Sequence, residues 1–62
     1  MNRRKFIAHV EQNGCSLKRH GGKHDVYQND SDTSKCSTIP RHNEINPYTA
    51  KSICKSLGIP EY

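Results

Sequence analysis

The chain has 62 residues, 31% of them hydrophobic and 26% charged, with ten Lys+Arg against six Asp+Glu and a net charge of +4. That length allows one small domain, spanning 1–62, with about 60% of its unfolded surface buried; it excludes a full Rossmann unit, a barrel or a ~20-residue apolar membrane span. The positive balance favours a polyanionic partner, nucleic acid being the commonest, although a charge of this size also serves solubility.

The segment Met1 to Val10 is basic and lacks the long apolar run of a signal peptide, so a cytoplasmic protein is expected. Asn2 is placed to cap a helix over Arg3 to Asn13. Phe6, Ile7 and Val10 form its short apolar stripe, and Gly14 supplies the stop. Cys15 to His20 opens with apolar/polar alternation and reads as a strand. Gly21-Gly22 is a turn signal, because glycine tolerates positive φ, and His24 to Gln28 then forms the second strand of a hairpin. Val26 and Tyr27 point to opposite faces. Tyr27, the larger apolar body, is expected inward with Asp25, which leaves His24 outward. Asn29 to Ser34 is a polar turn cluster, and Lys35 to Ile39 is a third strand that Pro40 ends. After the connector Arg41 to Ile45, Asn46-Pro47 starts a helix with Asn46 as N-cap. Ala50, Ile53, Cys54 and Leu57 recur at i, i+3, i+4 and i+7, and Gly58 and Pro60 end the helix.

The order is α-β-β-β-α. Short loops make the strands an antiparallel three-stranded meander, and one apolar stripe per helix packs both helices on one sheet face, leaving the other open. This α+β two-layer sandwich is also the architecture of double-stranded-RNA-binding domains.

Cys15, Cys36 and Cys54 are odd in number, which argues against a disulfide framework, and no C-x-x-C pair gives a zinc signature. His20 and His24 are separated by Gly21-Gly22, which breaks any shared helical face. The cysteines are expected to be small buried hydrophobes, with no metal site and no cofactor.

Lys18, Arg19, Lys23, Arg41, Lys51 and Lys55 are candidate phosphate contacts, and Lys18, Arg19 and Lys23 cluster around one glycine turn. His24 closes that turn at a strand edge, where solvent and a ligand reach it and an imidazole can exchange a proton near neutral pH. From position alone, an ordinary strand-end histidine is the simpler reading.

The run Gly21-Gly22-Lys23-His24-Asp25-Val26-Tyr27, then Ile39-Pro40-Arg41-His42-Asn43-Glu44-Ile45, then Ile53-Cys54-Lys55-Ser56-Leu57-Gly58-Ile59-Pro60, resembles the HicA toxin family. These are small mRNA interferases of type II toxin–antitoxin modules. The resemblance covers nearly the whole chain. It implies a double-stranded-RNA-binding-domain-like fold, endoribonuclease activity on mRNA and neutralisation by a HicB antitoxin. The family's active histidine maps onto His24, and its Pro-Arg-His block onto Pro40, Arg41 and His42. The chain departs from the family pattern at Lys23, where serine or asparagine is common, and at Asp25.

With the resemblance in place, the scattered acids argue for cleavage without a metal ion. His24 would take the proton from a ribose 2′-OH that attacks its own phosphate, and Lys23 or Arg41 would offset charge on the phosphorus oxygens. Lys18, Arg19 and His42 would join them in binding RNA; His42 and His20 are the candidates for the general acid. The rival readings are a non-catalytic double-stranded-RNA-binding module, a small zinc-bearing interaction domain, and an inactive remnant of a toxin module.

Overall fold

The computed structural model describes residues 1–62, in the order α1 (Arg3–Gln12), β1 (Cys15–His20), β2 (His24–Asn29), β3 (Asp32–Pro40) and α2 (Pro47–Leu57). Both helices start where the caps predict. The Asn2 side chain accepts from the Lys5 backbone N–H, the Asn46 side chain from that of Tyr48, and Pro47 fills the first turn of α2. Gly14 (φ 83°) and Gly58 (φ 69°) take the left-handed conformation that lets the chain leave each helix.

The strands form one antiparallel sheet in the order β1-β2-β3. Phe6 and Val10 of α1, Ala50, Ile53, Cys54 and Leu57 of α2, Cys15, Tyr27 and Ile39 of the sheet, and Ile45 of the connector make one buried cluster. Both helices therefore cover the same sheet face, and Tyr27 points inward as its bulk predicts. The arrangement is compatible with a double-stranded-RNA-binding-domain-like sandwich. No helix is long and apolar enough to cross a membrane.

The structure corrects the sequence reading in three places. First, the polar cluster 29–34 is mostly strand: β2 runs through Asn29, only Asp30-Ser31 turn, and β3 begins at Asp32. That turn holds no glycine and no residue of positive φ, so the tight mirror-image hairpin is barred. The register instead jumps between Gln28↔Cys36 and Asn29↔Asp32. Pro40 is the last residue of β3 rather than its terminator, which an edge strand tolerates. Second, Cys36 is exposed while Cys15 and Cys54 are buried; Cys36 pairs with Gln28, out of phase with the inward Tyr27. Third, Gly21 and Gly22 do not take positive φ. Gly21 is needed for space: a Cβ there would lie 2.6 Å from the His24 carbonyl oxygen, to which the Gly21 N–H donates at 2.8 Å.

Candidate functional site

The β1–β2 pairing breaks step at Lys18. Leu17 lies opposite Tyr27, but Arg19 lies opposite Val26 and His20 opposite Asp25. Lys18 is the extra residue of a β-bulge, and the phase beyond it is reversed. Arg19 thereby joins Val26 and His24 on the open face. His20 swings to the helix-side face, where it meets Asp25.

Asp25 is the one buried charged residue in the chain. A carboxylate in that position needs hydrogen-bond donors, and three segments supply them. From α1, Arg3 Nη2 reaches Asp25 Oδ2 at 3.1 Å. From β1, His20 Nδ1 lies 2.9 Å from Oδ1. From the end of β3, Arg41 Nε donates to Oδ1 at 2.9 Å, and Nη2 stands 2.7 Å from the same oxygen. The Arg41 hydrogen bond, then that of His20, hold the Asp25 carboxyl down at about 2 against an ordinary 3.8, while burial works in the other direction. An ionised carboxylate only accepts, so His20 carries its proton on Nδ1.

The same guanidinium fastens the glycine turn. Arg41 Nη2 donates to the Gly21 carbonyl at 2.7 Å and Nη1 to that of Gly22 at 3.0 Å. Arg3 fastens the connector: its Nε donates to the Pro40 carbonyl at 2.7 Å and its backbone N–H to that of Asn43 at 2.9 Å. Asp25 thus ties together, through two arginines, the turn before His24 and the segment that carries His42.

Between those two segments lies a hollow of about 290 Å³ lined by Lys23, His24, Arg41 and His42. Four of the sequence-predicted residues meet there, all of them exposed. Arg19 shares the open face with His24 without lining the hollow, and Lys18 sits at the bulge. Arg41 is the member already engaged, with Asp25 and the turn carbonyls, whereas Lys23 stands beside His24 as an exposed ammonium. A larger hollow of about 550 Å³ runs along α1, but its lining, which includes Arg3, Arg4 and Glu11, holds no imidazole. The smaller one brings two imidazoles together with a cation of the kind that attracts a phosphate.

Sequence reasoning missed Asp25 and Arg3. The signal for Asp25 was present, because a strand with Tyr27 inward also turns Asp25 inward, and a buried acid demands cationic partners. Nothing local pointed to Arg3, which lies 22 residues away.

No curated protein and no solved structure matches the chain. A family model does match, described as "HicA toxin of bacterial toxin-antitoxin", over residues 3–59, which takes in every element and all the residues of the hollow. The chain belongs to the HicA toxin family: it is a toxin of a toxin–antitoxin system, of a kind that generally cleaves RNA and is paired with a cognate antitoxin.

Proposed function

We propose that the protein is an mRNA endonuclease that works by acid–base chemistry at His24 and is inhibited by a HicB-type antitoxin. The observation that carries this reading is the exposed hollow in which His24 lies beside Lys23, on a turn that Arg41 and Asp25 hold in place. His24 removes the proton of a ribose 2′-OH, the 2′-oxygen attacks the adjacent phosphorus, and the bond to the 5′-oxygen breaks. Lys23 attracts the phosphate and offsets its charge in the transition state. Arg19, on the same sheet face, and Lys18 extend the cationic track for the RNA backbone. The step runs through protein groups alone, without a metal ion. A net charge of +4 suits an antitoxin with an acidic surface, seated over the face that carries His24.

The test is the chemistry of the ends. Purified protein incubated with mRNA in excess EDTA is expected to leave 2′,3′-cyclic phosphate and 5′-hydroxyl termini. Cleavage that stops in EDTA, or that leaves 5′-phosphates, overturns this mechanism. RNA bound but never cut would point to a non-catalytic binding module.

A further inference from the structure

Breaking the bond to the 5′-oxygen leaves an alkoxide, a poor leaving group unless a proton reaches it. The chain offers three imidazoles besides His24. His9 lies on α1 with its Nε2 2.7 Å from the Pro60 carbonyl, where it pins the C-terminal segment. His20 has its Nδ1 on Asp25, on the opposite side of the sheet from His24, and does not line the hollow. His42 is the imidazole that shares the hollow with His24 and Lys23.

We infer that His42 is the general acid of the cleavage step, a role that rests on the nuclease reading above. Its placement is built rather than incidental. The residue sits between two carbonyls held by Arg3, those of Pro40 and Asn43, and directly follows Arg41, whose side chain is bonded to Asp25 and to the turn before His24. The two imidazoles are therefore referred to one anchor and line one hollow.

The step balances with those two groups. His24 accepts the 2′-OH proton as the O2′–P bond forms. The P–O5′ electron pair leaves on the 5′-oxygen, which takes a proton from the imidazolium of His42. Afterwards His24 carries one proton more and His42 one fewer, and exchange with water restores both.

A leaving-group substitution tests the assignment. An RNA oligonucleotide with a mapped cleavage site is compared with the same oligonucleotide carrying sulfur in place of the 5′-oxygen at that site, since a thiolate departs without a proton. His42→Ala is expected to slow cleavage of the oxygen substrate by about 10²–10⁴-fold and to cut the sulfur substrate at nearly the wild-type rate. His24→Ala is expected to be slow on both. His42 is exposed, so the variant should keep the wild-type far-ultraviolet circular dichroism spectrum. A His42→Ala rate equal to wild type on the oxygen substrate, or equally reduced on both, overturns the role. Rescue of His24→Ala by sulfur in its place would reverse the assignment and overturn it too. If wild-type protein cuts neither substrate, the nuclease reading itself has failed.

Discussion

Asp25 is the residue on which the site's geometry converges, and its ionisation has a consequence for stability. Its carboxyl is depressed to about 2 from 3.8, chiefly by the Arg41 and His20 hydrogen bonds. A depressed acid contributes stability that is fully present above its unfolded value and is lost as pH falls towards the folded one. The urea midpoint of the wild type should therefore drop between pH 4 and pH 2 more steeply than that of Asp25→Asn. Parallel curves for the two proteins would contradict the cluster as described. At neutral pH the same variant loosens Arg41 and the turn. It should lower kcat by up to about 10²-fold, the cost of misplacing a reacting group by an ångström, while RNA binding through Lys23 largely persists. Asp25 was read from the sequence as a departure from the family pattern that faces inward with Tyr27, not as an anchor of the site. Its meaning lay in partners 5, 16 and 22 residues away, which no local pattern connects.

The elements were legible where caps and stripes coincide. Asn2, Asn46-Pro47 and Gly58 mark helix ends by hydrogen bonds and φ angles that only a few residue types supply, and the α2 stripe is buried as spaced. The β2–β3 turn was not legible, because a polar run reads as loop whether or not its backbone is paired. The Lys18 bulge was equally hidden, since alternation before it says nothing of the phase after it. One element breaks a local rule. The first turn of α1 holds Arg3, Arg4 and Lys5 and no acid, although cations there oppose the helix dipole by about 0.3–1 kcal/mol each. Arg3 sits there because it serves Asp25 and the connector, and such conflicts tend to mark functional sites. The glycine turn allows a paired test. Gly21→Ala forces a methyl against the His24 carbonyl and should cost about 1–3 kcal/mol together with most of the activity. Gly22→Ala, with nothing within 4 Å of the added carbon, should change stability by less than about 0.5 kcal/mol and leave activity near wild type. Equal effects of the two substitutions would show that the turn does not depend on that close approach.

At the scale of the molecule, both helices and the apolar cluster lie on one side of the sheet, so the other face and its turn end remain for a ligand. Asp25 takes up Arg3 and Arg41 by ion pairing and His20 by a hydrogen bond, while Lys23 stands exposed at the hollow and Arg19 shares the open face with His24. Lys23 and Arg19 are thereby presented where a phosphate backbone can use them. Layer order and topology followed from five elements with short loops. The meeting of His24 with His42, from separate segments, became visible only when the sheet brought the turn and the end of β3 together. The central claim is that His24 moves a proton in RNA cleavage, and single-turnover cleavage of an RNA with a mapped site by His24→Ala measures it directly. The expected rate is about 10²–10⁴-fold below wild type with an unchanged circular dichroism spectrum; a folded variant that cuts at the wild-type rate would rule out that role for His24.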